Sequence, residues 1–172
     1  MAGEYRFVPV TRADYPMLRG WLGQPHIDGW WGDADHEIAM IEGDRASRRT
    51  DMRIVWYGGS PFAYVQDWDV HQEGVPQFAD LPPGSRAMDT FLGDPAYLGQ
   101  GHAPRYLRAR ALELLAAGVP AVGVDPDPAN VRAVAAYGRA GFVGDRVVPC
   151  EDGDPVRVMI FQGDEAPGKD AT

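Results

Sequence analysis

Residues 97–118 read YLGQGHAPRYLRARALELLAAG. Gly99 and Gly101 stand two apart, and the small Ala103 repeats the interval. The residues that follow are mostly strong helix formers, so the stretch predicts a helix that opens directly out of a glycine-rich turn. The first backbone N–H groups of a helix lack partners within it and carry partial positive charge. Glycines beside them let an anion approach the peptide groups closely. Leu98, Gly99, Gln100, Gly101, His102 and Ala103 are therefore candidates for a diphosphate grip; the plain alternative is a connecting turn. His102, inside the loop, is expected to face a cofactor or solvent. The stretch lacks the Lys-Ser/Thr pair of a nucleotide P-loop. It also lacks the early βαβ position and downstream acidic residue of a dinucleotide fold.

Working outward, YRFVPV (5–10) alternates and is β-rich, which predicts a strand. Thr11 and Asp14 resemble a capping box opening a helix over 12–22, with Pro16 awkward in its early turns. HIDGWWGDAD (26–35) breaks the pattern as a loop, and 37–46 predicts a second short helix. MRIVWY (52–57) and PFAYVQDW (61–68) flank Gly58-Gly59, a hairpin signal. Residues 71–84 read as loop and 85–93 as a strand. Beyond the glycine stretch, AVGVD (121–125) predicts a strand. Asn130 and Gly141 bracket a helix, and 142–162 form a closing hairpin. The order β-α-α-β-β-β-α-β-α-β-β predicts an α/β (α+β) fold with a single mixed central β-sheet and helices on both faces. One domain is expected over 1–164, with a loose polar tail at 165–172.

The whole chain limits the functions available. Its 172 residues suit one domain with a proper core. A formal net charge of −9 argues against nucleic-acid binding and favours a cationic ligand, or serves solubility alone. No apolar run approaches the ~20 residues needed to span a bilayer, and the N-terminus lacks a signal-peptide core. A single cysteine, Cys150, excludes an internal disulfide and points to a cytoplasmic setting. The four histidines lack ligand spacing, so no metal is expected.

Two motifs together resemble the GNAT superfamily of acyl-CoA-dependent N-acyltransferases. Residues 98–103 follow its diphosphate loop, Gln/Arg-x-x-Gly-x-Gly/Ala, with Leu98 at the first position as a departure. DPDPANVRAVAAYGRAGF (125–142) is similar to its Asn-x-x-Ala-x-x-x-Tyr-x-x-x-Gly-Phe signature through Asn130, Ala133, Tyr137, Gly141 and Phe142. HIDGWWG, GSPFAYVQ, AMDTFLG and 125–142, in that order, are similar to the aminoglycoside 6'-N-acetyltransferases. They resemble, less closely, siderophore acyltransferases that act on hydroxylamine-bearing lysine side chains.

The resemblance implies a GNAT fold in which two parallel strands splay apart to admit the acyl-pantetheine arm. These would be the strands carrying Met88-Asp89-Thr90 and Val122-Gly123-Val124, with Thr90 and Phe91 beside the cofactor. It implies acetyl-CoA as acyl donor and a small-molecule amine as acceptor, attacked directly in a ternary complex. The protein would be a monomer or homodimer. Asp89 interrupts an apolar strand, where a carboxylate is costly unless partnered or useful. The resemblance makes it the candidate general base; the alternative is an outward-facing residue. Tyr137 is implied as the acid that protonates the departing thiolate, or is a core aromatic. Asn130 either bonds the pantetheine arm or caps its helix. Asp125 binds a substrate ammonium or serves a turn. Trp30 and Trp31 wall the acceptor pocket or plug the core, and Asp67, Trp68 and Asp69 are candidates for the same pocket. A non-catalytic acyl-CoA-binding domain stays open as a third reading.

Overall fold

The computed structural model describes residues 4–47 and 49–163; the segment read as a tail, 165–172, lies outside the described residues. In chain order the elements are β1 (Arg6–Pro9), α1 (Tyr15–Leu22), α2 (Ala34–Ser47), β2 (Thr50–Tyr57), β3 (Ser60–Asp69), α3 (Val70–Glu73), β4 (Arg86–Leu92), α4 (His102–Ala116), β5 (Val122–Val124), α5 (Val131–Ala140), β6 (Phe142–Pro149) and β7 (Pro155–Phe161). The strands form one mixed seven-stranded sheet in the order β1-β2-β3-β4-β5-β7-β6. β4 and β5 pair in parallel through a ladder of two residue pairs, Arg86↔Val122 and Ala87↔Gly123. The chain divides into two compact units, Met1–Asp69 with Met88–His102, and Val70–Ala87 with Ala103–Thr172.

In the first unit, α1 and α2 cover one face of the β2-β3 sheet. Leu18, Trp21, Ile38 and Ile41 pack with Met52, Ile54, Tyr64 and Phe91 in one cluster. An isolated eight-residue helix such as α1 is unstable in water. Leu18, Ile54 and Tyr64 are at most 1% exposed, and burying a side chain of this size contributes about 1.5–3 kcal/mol. The apolar face, not helix propensity, therefore holds α1 in place. Pro16 is harmless, because a 3-10 turn (Arg12–Asp14) precedes α1 and places Pro16 in its first turn, where a missing N–H costs nothing. Thr11 N–H donates to Asp14 Oδ2 at 2.8 Å, completing the turn that the sequence announces. α2 starts three residues earlier than expected: Asp33 Oδ1 accepts His36 N–H at 3.1 Å, so an aspartate read as loop is its cap.

In the second unit, β5 is buried along its length, as a strand inside a sheet requires. The stretch 71–84, expected as plain loop, holds the end of α3 and a 3-10 turn (Pro76–Phe78). Its Gly and Pro residues hide two apolar anchors, Val75 and Phe78, each at most 5% exposed. Phe78 packs over the backbone of Gly123, where a Cβ would lie 2.7 Å from its Cε1. That contact sets the 3-10 turn against β5. β6 pairs with β7 through a register shift between Val143 and Arg146.

Candidate active site

The candidate residues fall into two groups, one in each unit. In the first, β3 presents Tyr64, Gln66 and Trp68 on one face, because alternate residues of a strand share a face. Asp89 on β4 meets them. Its Oδ2 accepts a hydrogen bond from Gln66 Nε2 at 2.9 Å and another from Trp68 Nε1 at 3.0 Å. Tyr64 in turn donates its hydroxyl to Gln66 Oε1 at 2.7 Å. Burial holds the Tyr64 phenol well above its usual titration range, reinforced by the nearby Asp89 charge, so it stays a donor. Two N–H donors on one carboxylate oxygen favour the ionised carboxylate and fix its direction. Asp89 is half-buried, partnered rather than turned out to solvent.

Aromatic rings continue this face. Trp31 packs edge-on against Phe91 at 4.9 Å and Tyr64 at 6.1 Å, and Tyr64 stacks on Phe91 at 5.1 Å. Trp30 remains 49% exposed, so the paired tryptophans divide, one packed on the core and one in solvent. Asp67 is turned to the opposite face of β3 and is 1% exposed; it does not join Gln66, Trp68 and Asp89. Phe91 is in the core cluster and Thr90 donates its hydroxyl to the Tyr64 carbonyl at 2.6 Å.

The glycine loop precedes α4, whose first residue is His102. Gly99 and Gly101 are exposed, with φ of 72° and 75°, a region where side chains are strained. A Cβ built at either would meet nothing within 4 Å. The turn is thus uncrowded at a helix start, which leaves room for a diphosphate. Gln100 turns back, its Nε2 donating to the Ala96 carbonyl at 2.6 Å, and Leu98 N–H donates to Pro95 O at 3.2 Å. His102 departs from expectation: its ring is 4% exposed and turned inward among aromatic side chains. Ala103 follows, half-buried in the first turn of α4. Two arginines of α4 are engaged within the fold. Arg108 donates to the Gly163 carbonyl at 3.1 Å and lies over Phe161, and Arg110 is 8% exposed beside Glu113.

In the second unit, Asn130 caps α5, its Oδ1 accepting Ala133 N–H at 3.2 Å. Tyr137, two turns on, is 7% exposed and packs edge-on against Phe142 at 5.7 Å. Asp125, just past β5, accepts Gln77 Nε2 at 2.9 Å. The same nitrogen donates to Glu151 at 3.0 Å, so one buried amide gathers two carboxylates. Among the described residues no three His, Cys, Asp or Glu side chains cluster as metal ligands. No described helix is long and apolar enough to cross a membrane.

Residues 10–149 match the acetyltransferase (GNAT) domain family. The chain belongs to the GNAT acetyltransferases. This GNAT chain is 31% identical over 160 residues to the aminoglycoside N(6')-acetyltransferase type 1 of Klebsiella pneumoniae, spanning 87% of this chain and 79% of that one. A kanamycin resistance protein of Rhizobium radiobacter is 37% identical over 82 residues, 46% of this chain and 75% of the relative. Among solved structures, aminoglycoside acetyltransferase AAC(6')-Ib in complex with coenzyme A and kanamycin aligns with a TM-score of 0.79 at 29% identity, covering 91% of this chain and 94% of that chain.

Three polar residues of this GNAT chain escape a reading of the sequence alone. Gln66 shows a signal that was there to be used, a polar donor in step with Tyr64 and Trp68 on one face of β3. Gln77 and Glu151 show none, because Gln77 meets Asp125 across 48 residues and Glu151 across 74.

Proposed function

We propose that this GNAT enzyme transfers the acetyl group of acetyl-CoA to a primary amine of an aminoglycoside, by direct attack of the amine on the thioester. The observation that carries the reading is Asp89, a carboxylate oriented by Gln66 and Trp68 at the edge of an aromatic face. An anionic group beside aromatic rings suits a polycationic sugar, which brings ammonium charges and flat apolar faces. The relatives named for aminoglycoside acetylation and kanamycin resistance support the same acceptor.

Roles then follow for particular residues. The glycine turn at 98–103 holds the diphosphate of the donor, with Thr90 and Asn130 serving its pantetheine arm. Asp89 first binds the acceptor as an ammonium ion, since an alkylamine is protonated at neutral pH. It then takes the proton, directly or through water, as the amine nitrogen bonds to the acetyl carbon. The carbon–sulfur bond breaks, and Tyr137 supplies the proton that leaves with the thiol. Asp125 and the aromatic residues Trp30 and Trp31 bind the remainder of the acceptor. These roles belong to one acyltransferase domain spanning 1–164.

Purified protein with acetyl-CoA and a panel including kanamycin and tobramycin tests the reading, with thiol release followed by a chromogenic reagent. Release above background with at least one aminoglycoside is expected. Silence across the panel would remove the substrate while leaving the family membership intact.

A further inference from the structure

The proposed chemistry gives the side chain of His102, at the end of the glycine loop, no task. It is 4% exposed. Four aromatic rings surround it: Tyr57 at 4.8 Å, Phe62 at 5.2 Å, Tyr97 at 5.4 Å and Tyr5 at 6.0 Å. The Tyr5 hydroxyl and His102 Nδ1 are hydrogen-bonded at 2.8 Å. Tyr97 belongs to the same group, stacked on Phe62 at 4.7 Å. Tyr97 and His102 flank residues 98–101, so both ends of the exposed turn rest on one ring. Phe62 reaches that position because the β2-β3 register steps from Val55↔Ala63 to Trp56↔Pro61, leaving Phe62 as an extra residue in β3. A bulge re-aims a side chain in this way.

We propose that His102, bonded to Tyr5 and packed with Tyr97 on Phe62, is a positioning residue that sets the shape of the diphosphate-binding turn. The inference rests on the acyl-CoA reading above and adds to it the residues that preorganise the loop. A turn of exposed glycines has many conformations to lose on binding. Fixing its two ends on a buried aromatic stem removes most of that freedom before the ligand arrives. A histidine serves better here than a phenylalanine because Nδ1 adds a directional bond to the ring contacts.

The test compares two donors that share the thioester and differ in the diphosphate. Acetyl-CoA carries it; acetyl-pantetheine does not. Tyr5→Phe deletes only a hydroxyl, and His102→Leu removes both the bond and the ring. For His102→Leu, the KM for acetyl-CoA and the calorimetric Kd for coenzyme A are expected to rise about tenfold, with a smaller rise of the same kind for Tyr5→Phe. kcat/KM for acetyl-pantetheine should stay within about twofold of its unsubstituted value in Tyr5→Phe. A loss that is equal for both donors, or none for either, overturns the proposal. Should His102→Leu fail to fold, Tyr5→Phe alone decides. Coenzyme A binding needs no acceptor, so it is measurable even if every aminoglycoside proves inert, and the two readings fail separately.

Discussion

Replacing Trp68 by phenylalanine takes one donor from Asp89 and leaves a ring of similar shape in its place. The indole Nε1 lies 3.0 Å from Asp89 Oδ2, and Gln66 Nε2 lies 2.9 Å from the same oxygen. A hydrogen bond to a charged group is worth about 1.5–3 kcal/mol. Gln66 is itself steadied by the Tyr64 hydroxyl at 2.7 Å and remains to hold the carboxylate, which puts the loss near the lower end. We therefore expect kcat/KM for kanamycin to fall roughly tenfold, since about 1.4 kcal/mol corresponds to one factor of ten. The KM for acetyl-CoA should stay within about twofold. Gln66→Leu should cost more, because it also strips the acceptor from a buried tyrosine. Combining the two should be non-additive, because both donors serve one oxygen. The assay is thiol release under varied acceptor and varied donor. If Trp68→Phe leaves kcat/KM for the acceptor unchanged while Asp89→Asn abolishes turnover, orientation of the carboxylate by its neighbours is not what matters. An equal rise in acetyl-CoA KM would likewise refute the assignment of this network to the acceptor.

Other perturbations test separate parts of the molecule. Tyr137→Phe should lower kcat well beyond any loss of coenzyme A affinity measured by calorimetry; equal losses would contradict an acid role. Gln77→Leu should raise the aminoglycoside KM about tenfold, the value of one or two hydrogen bonds, and leave the donor KM alone, because it frees Asp125 and Glu151 from their shared amide. Gly144→Ala should destabilise by on the order of 3 kcal/mol, or about 6–12 °C in Tm. Its φ is 153° and a Cβ there would lie 2.2 Å from the Val158 carbonyl oxygen, in a paired strand that has no room to yield. Gly153→Ala, where a Cβ meets nothing within 4 Å, is the control with a smaller drop. Glu42 is held down to about 2 by hydrogen bonds from Arg12 and then Tyr15. A folded-state value below the ordinary 4.5 means the stabilisation is complete above that pH and fades as pH falls toward about 2. Thermal melts of Glu42→Gln and the unsubstituted protein should differ at neutral pH and converge across that window.

Much of the architecture was legible because local signals agreed with one another. Asn130 and Gly141 bracketed α5, and the Gly58-Gly59 pair announced the β2-β3 hairpin. The errors came where a polar or turn-forming residue performed a structural task, local or tertiary. Asp33 looked like loop and is the cap of α2. Residues 71–84 looked featureless, yet Phe78 anchors a 3-10 turn over Gly123, a contact with no counterpart in the local pattern. Asp89 stood out as a carboxylate in an apolar strand, whereas its donors stand 21 and 23 residues away on β3 and are brought to it by the fold.

Order along the chain sufficed for the element sequence, the glycine turn, the signature around Asn130 and Tyr137, and hence the family. These depend on periodicity, backbone freedom and residue spacing, which are properties of neighbours in sequence. The direction of each functional side chain was decided only on folding. His102 was expected to face cofactor or solvent and turns inward, because a bulge places Phe62 beneath it and Tyr5, just before β1, bonds to it. Asp67 and Trp68 are adjacent in sequence and face opposite ways, because a pleated strand alternates and only one of its faces meets Asp89.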